Sequence, residues 1–335
     1  EQSERSAIYP NSFGVRNARA RLFVSRRGDG VPSSRGIGGE DQLTSDCFLV
    51  AIGYHGSLFH GSQIQPDVRT VQGTLKESLK EIGWWREGCL RLSSRTDAGV
   101  SVRMNLASID LPESVISSVD GSRVIRALND RLPDDLVVWA AKKVPSTTPT
   151  RPVISRKYYY RCEVIKTWPE NIDIDILTNA CQIFVGTHDF TNLCRLEEGK
   201  DPTRTVISCD PWLDSDNRPI GICVVAKSFL WNQVRRMASA ITGVVSGEYD
   251  LDFLAKSIEN PNIPVDMGMG SPRGLILWEI NHSALDGIGI GSIPDTRIFS
   301  KPPSSLRGHK NWMGLCNLEM STLVNSEWIR EIGLS

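Results

Sequence analysis

A chain of 335 residues with 40% hydrophobic and 23% charged side chains can bury two cores of ordinary domain size and has a soluble globular make-up. Thirty-eight Lys and Arg against 39 Asp and Glu leave a formal charge of −1, so any polyanion must be held by local clusters of positive charge. No apolar run is long enough to cross a bilayer, and the eight dispersed cysteines, with no C-x-x-C pair, argue against structural zinc, thiol redox chemistry and a secreted disulfide scaffold.

Residues 1–45 are rich in Arg, Gly and Ser without a sustained period, which predicts a flexible N-terminal extension. Their polar start lacks a leader-like apolar stretch, and the expected compartment is cytoplasmic. Cys47–Ile52 is a short apolar run of the kind found in buried strands. Between Asp67 and Trp84, Val68, Val71, Leu75, Leu79 and Ile82 recur at helical spacing. Leu90–Ser94 and Met104–Leu111 read as strands, Ser122 as the cap of a helix carrying Val124, Ile125 and Leu128, and Leu136–Val144 as a further strand.

Pro145, Pro149 and Pro152 then interrupt the pattern and mark a boundary between a domain at 46–150 and another at 151–282. In the second, Lys157–Ile165 alternates, a helix carries Leu177, Ala180, Cys181 and Phe184, and strands are expected near Thr205–Cys209 and Ile220–Ala226. A helix from about Phe229 and a last strand at Leu275–Ile280 complete it, and residues 283–335 are left as a C-terminal extension. Each domain reads β-α-β-β-α-β, so the expected class is α+β: two ferredoxin-like (RRM-like) units joined into an extended antiparallel sheet with a central cleft.

Three stretches stand out chemically. Ser93–Ser101 places Asp97 between Arg95 and Gly99, which by itself reads as an Asx turn joining two strands. Arg235 lies beside the buried stripe of its helix, where a surface arginine would stack on Trp231. Tyr158 alternates with Lys157 in an aromatic strand, where a core position is the plainer reading, and Arg151, Arg156, Lys157, Arg161 and Lys166 form the one local cluster of positive charge.

Arg95-Thr96-Asp97-Ala98-Gly99-Val100 resembles the active-site signature of the tRNA pseudouridine synthase A family, in which the aspartate is the catalytic carboxylate. Phe229–Met237 resembles the second signature, which implies that Arg235 pairs with Asp97, a task suited to a guanidinium that can grip a carboxylate with two parallel bonds. Arg156–Tyr160 is similar to the family's basic-aromatic strand, implying Tyr158 against the target base. By the same resemblance Arg95, Lys157, Leu275 and Gln63 bind substrate. Tyr54–Gln63, with Ser62 and later Ser101 where bacterial members carry Trp and His, resembles the archaeal and eukaryotic branches.

The likeness spans about positions 46–281. It implies isomerisation of uridine to pseudouridine in tRNA, on the 3′ side of the anticodon stem-loop at about tRNA positions 38–40, by a homodimer. No cofactor and no metal are expected, since the reaction neither gains nor loses a group. Asp97 can serve as nucleophile or as general base. A competing reading is an RNA-binding protein without catalysis.

Overall fold

The computed structural model describes residues 46–334, so the extension expected at 1–45 lies outside the described residues. The chain opens with β1 (Asp46–Tyr54), buried from Cys47 onward, then α1 (Val71–Ile82), β2 (Leu90–Leu92) and β3 (Ser101–Ile109). α2 (Glu113–Ile116), α3 (Gly121–Asn129) and β4 (Leu136–Pro145) follow. After the proline-rich connection come β5 (Ser155–Arg161), α4 (Ile174–Gln182), β6 (Gly186–Asp189), β7 (Thr203–Leu213) and β8 (Pro219–Ala226). The remainder is α5 (Gln233–Val245), α6 (Leu251–Glu259), β9 (Leu275–Asn281) and the long α7 (Leu306–Leu334).

Local chemistry sets several boundaries differently from the sequence expectation. Thr70 accepts a bond from the Gly73 amide and starts α1 there, leaving Val68 outside the helix and exposed. Asp120, not Ser122, caps α3, and the Ser122 hydroxyl donates to the Asp120 carboxylate. The alternating strand ends at Arg161, because Cys162–Val164 turns into a single 3-10 turn. α2, β6, α6 and α7 lie outside the elements that the sequence pattern predicts.

The nine strands of the described residues form one sheet in the order β4-β1-β3-β9-β5-β8-β7-β6, with β2 paired to β3 beside that path. Antiparallel pairing dominates, but the seam is parallel: Ser101 and Val102 at the start of β3 face Ile276 and Leu277 of β9. β2 occupies the far end of the same edge, opposite Ala107–Ile109. The sheet is therefore mixed, and the two loops entering β3 and β9 emerge side by side at the seam. Among the described residues no helix is long and apolar enough to cross a membrane.

Successive side chains of a strand point to opposite faces, and β5 uses both. Arg156, Tyr158 and Tyr160 face one way, toward Ser94, Phe229 and Ser271 respectively. Lys157, Tyr159 and Arg161 face the other way, toward Glu279, Trp278 and α7. There α7 buries Trp312, Cys316, Met320, Leu323, Val324 and Trp328, each worth roughly 1.5–3 kcal/mol if wholly removed from water. Leu315 of the same helix is exposed.

Two fully buried arginines fasten this helix to the sheet. Arg103 of β3 donates to Glu327 at 2.8 Å and Glu331 at 2.6 Å, while the Trp328 indole donates to the Arg103 carbonyl. Arg161 of β5 donates to Glu163 at 2.7 Å and Glu319 at 2.6 Å, with its guanidinium 4.1 Å from the centre of the Phe299 ring.

At the end of β1, His55 Nε2 donates to Asn325 of α7 at 2.9 Å, and its ring packs 4.8 Å from that of Trp328. Burial holds this imidazole below its ordinary pKa, and its buried Nδ1 has no partner among the described residues. As pH falls through about 6.5 the unfolded chain therefore takes up the proton first, and stability present above that value is lost as pH falls through the folded pKa. The melting temperature should drop between about pH 7.5 and 5.5, and His55→Gln should flatten part of that slope. Equal slopes in the two proteins would show that His55 contributes nothing to acid sensitivity.

Candidate active site

Asp97 sits in a turn closed by a bond from the Val100 amide to the Asp97 carbonyl at 3.3 Å, with Gly99 at φ +85°. Only glycine adopts that conformation without strain at the third position, and it also keeps clear of Pro272. The preceding Thr96 is fixed on each of its polar groups. Its amide donates to the Ser62 hydroxyl at 2.9 Å, its carbonyl accepts from the Ser62 amide at 3.1 Å, and its hydroxyl meets that of Tyr54 at 2.8 Å.

Gly99 donates to the Gly56 carbonyl, and the Gly56 amide donates to Ser101. The motif at 54–63 thus acts as a cradle for the Asp97 turn. Ser62 and Ser101 are both used in it.

Arg235 reaches this turn from α5. Its Nη1 donates to Asp97 Oδ2 at 3.1 Å across 138 residues of sequence, with 30% of the Asp97 side chain and 11% of the Arg235 side chain exposed. The grip is a single bond, in place of the two-point hold expected. Two further bonds hold the guanidinium in place: Nη1 also donates to Asn232 at 3.1 Å, and Nε donates to the Gly270 carbonyl at 2.8 Å. Among the described residues Asp97 Oδ1 accepts no hydrogen bond, so one oxygen of this part-exposed carboxylate is unspent.

α5 begins at Gln233, four residues later than expected, because Asn232 adopts a left-handed conformation (φ 65°) that ends the extended approach. Asn tolerates that region through its short polar side chain. Trp231 consequently precedes the helix and is stacked by Arg195 at 4.0 Å, so it is no platform for Arg235.

Tyr158 lies buried beside Phe229, ring centres 5.2 Å apart and edge to face. Burial pushes its phenol up to about 12, with Arg156 opposing the rise and Asp97 adding to it, so the hydroxyl stays protonated at neutral pH. Leu275 is buried at the start of β9, opposite Tyr160. Arg95 and Gln63 are exposed and line a groove of about 700 Å³ together with Arg86, Arg91, Gln72 and Arg151.

Lys157 is not brought to the Asp97–Arg235 pair. It pairs with Glu279 at 3.4 Å on the opposite face of β5. The expected basic cluster also separates. Arg161 is consumed by buried carboxylates and Arg156 by buried oxygens, while Arg151 and Lys166 remain at the surface. His188 lies on β6, and its ring bonds the Val185 carbonyl at 2.9 Å.

Sequence reasoning missed Gly270 and Asn232 as supports of Arg235. The Gly270 amide donates to the Arg235 carbonyl and its own carbonyl accepts from the Arg235 side chain, while a Cβ there would overlap the Tyr160 hydroxyl. The closely spaced glycines Gly268 and Gly270, ahead of Ser271-Pro272, were the available signal.

A family sequence model described as tRNA pseudouridine synthase matches residues 180–283. The tRNA pseudouridine synthase A of Methanocorpusculum labreanum is 33% identical over 232 residues, covering 68% of this chain and 77% of that protein. The chain belongs to the tRNA pseudouridine synthase A family. It is thereby an isomerase of the pseudouridine synthase class.

The protein of the same name from Methanocella arvoryzae is 34% identical over 239 residues, covering 71% of this chain and 84% of that one. A Bacillus cereus tRNA pseudouridine synthase A 1 is 29% identical over 251 residues, 71% of this chain and 99% of its own. Among solved structures the chain is similar to a Cbf5-Nop10-Gar1 complex at 10% identity and TM-score 0.30, over 57% of this chain and 45% of that one.

Proposed function

We propose that this protein converts uridine to pseudouridine in the anticodon stem-loop of tRNA, with Asp97 as the catalytic carboxylate and Arg235 as its partner. The observation that carries the reading is the 3.1 Å contact between those two side chains, delivered by separate halves of the chain to one part-exposed site. The reaction breaks the bond from C1′ to N1, turns the uracil, joins C1′ to C5 and moves the C5 proton to N1. Atoms balance without a co-reactant.

Oδ1 of Asp97 supplies the lone pair, as nucleophile toward the sugar or ring or as general base. Arg235 holds the carboxylate in place through Oδ2. Tyr158 offers an aromatic surface on which the target base would stack, worth roughly 1–3 kcal/mol per base. Inside a stem the uracil is unreachable, so it must be flipped at a cost of a few kcal/mol, offset by phosphate contacts. Arg86, Arg95 and Arg151 along the adjoining groove are the groups placed to make them.

Several finer points belong to the same proposal. Strand order β4-β1-β3-β2 in residues 46–150 and β9-β5-β8-β7 in residues 151–282 supports two ferredoxin-like domains, each repeating the 4-1-3-2 order. A homodimer cradling one tRNA, and a cytoplasmic location, complete it.

The test is to treat unmodified tRNA with the purified protein and map pseudouridine by reverse-transcription stops after carbodiimide treatment. New stops within the anticodon stem-loop are expected. Binding of tRNA without any new stop would instead favour an RNA-binding protein that does no chemistry.

A further inference from the structure

Arg156 is a buried cation with no carboxylate partner among the described residues. Its guanidinium spends its donors on neutral oxygens from three separate segments. Nε donates to the Ser94 hydroxyl at 2.6 Å and Nη2 to the Ser93 carbonyl at 3.2 Å, both in the stretch running from β2 into the Asp97 turn. Nη1 donates to the Lys227 carbonyl at 2.5 Å, in the stretch running from β8 into α5 and so to Arg235. Nη2 also donates to the Arg151 carbonyl at 3.1 Å, in the connection between the two halves.

Desolvating a guanidinium without a counter-charge is costly, and an apolar side chain of similar volume would serve simple packing better. Burial indeed depresses the Arg156 pKa. What only arginine supplies is a rigid planar fork able to hold several acceptors at fixed angles. The acceptors it holds are the roots of the two segments that deliver the proposed catalytic pair. Ser94 itself is braced from the other side, where the Asn105 side chain accepts from the Ser94 amide and donates to its carbonyl.

We propose that Arg156 is a positioning residue for this reaction: by tying Ser93–Ser94 to Lys227 it sets the Asp97 carboxylate at the right distance from Arg235. The proposal rests on the reading of Asp97 as the catalytic carboxylate. It differs from the role its sequence neighbours suggest, since it gives Arg156 no contact with RNA.

The test compares Arg156→Lys, Arg156→Ala and Ser94→Ala with the unaltered full-length protein, measuring kcat and KM on tRNA, tRNA affinity and melting temperature. In Arg156→Lys, kcat should fall about 10- to 100-fold, the scale of a misplacement near 1 Å, with KM and affinity within about twofold. Ser94→Ala should give a smaller fall of the same kind. Millimolar guanidinium should restore part of the kcat of Arg156→Ala and none of that of Asp97→Asn.

Unchanged kcat in Arg156→Lys and Arg156→Ala would overturn the proposal, as would a loss confined to tRNA affinity, or one explained wholly by a lowered melting temperature without guanidinium rescue. If instead the unaltered protein makes no pseudouridine in any tRNA, the Asp97 reading falls and this role falls with it. Activity that the Arg156 variants fully retain would remove this role alone.

Discussion

Asp97→Asn is expected to abolish pseudouridine formation, by at least about 10²- to 10⁴-fold, while leaving tRNA affinity within a few-fold of the unaltered protein. The amide is isosteric with the carboxylate, so the turn closed by Gly99 and Val100 and the three bonds to Thr96 need not move. Its oxygen can still accept from Arg235, and at 30% exposure the ion pair that is lost contributes only modestly to stability, about 0–1 kcal/mol. Folding should therefore survive.

What disappears is the unspent lone pair of Oδ1 and the negative charge behind it. On the proposed reading, binding draws on a different set of groups, the arginines that line the adjoining groove, and the substitution leaves these untouched. The measurement is single-turnover conversion against filter-binding affinity on one tRNA. Turnover that persists in the variant would remove Asp97 from the chemistry, and the significance of the Arg235 contact with it.

That the pair would meet was legible in the sequence only through two short signatures; no periodicity links residues 138 positions apart. The elements that carry them were readable for physical reasons. β1 is continuously apolar because it is buried on both faces, and Val71, Leu75 and Leu79 keep helical spacing because one side of α1 faces the core. The departures are equally local in cause. A single left-handed Asn232 delays α5, and a single cap at Thr70 delays α1.

The basic cluster was misjudged for a different reason. Lys157, Tyr159 and Arg161 share a strand with Arg156, Tyr158 and Tyr160 but point to the other face, and the carboxylates that neutralise Arg161 include Glu319, 158 residues away. α7 itself escaped notice because apolar side chains occur around much of its circumference: Leu315, Leu318 and Ile329 are exposed while Leu323 and Trp328 are buried. No clean stripe announces the side it buries.

Arg161→Met should destabilise the protein by about 3–5 kcal/mol and leave its dealings with tRNA unchanged. The guanidinium is wholly buried and bridges Glu163, Glu319 and the Ser300 carbonyl. Removing it leaves Glu319, itself 7% exposed, with the Ser300 amide as its remaining partner, while Glu163 keeps Arg218. An unneutralised carboxylate in that setting must be desolvated without recompense, protonated, or released by undocking α7.

For a domain of this size the loss corresponds to roughly 10 °C in melting temperature, whereas Lys80→Ala, breaking an exposed pair on α1, should stay within about 0.5 kcal/mol. Adding Glu319→Met to Arg161→Met should recover much of the loss, because the stranded charge goes with it. The contrary result is informative about function. If Arg161→Met melts with the unaltered protein but binds tRNA more weakly, with a salt dependence shallower by about one phosphate contact, then this arginine faces RNA and α7 must leave the sheet for it to do so.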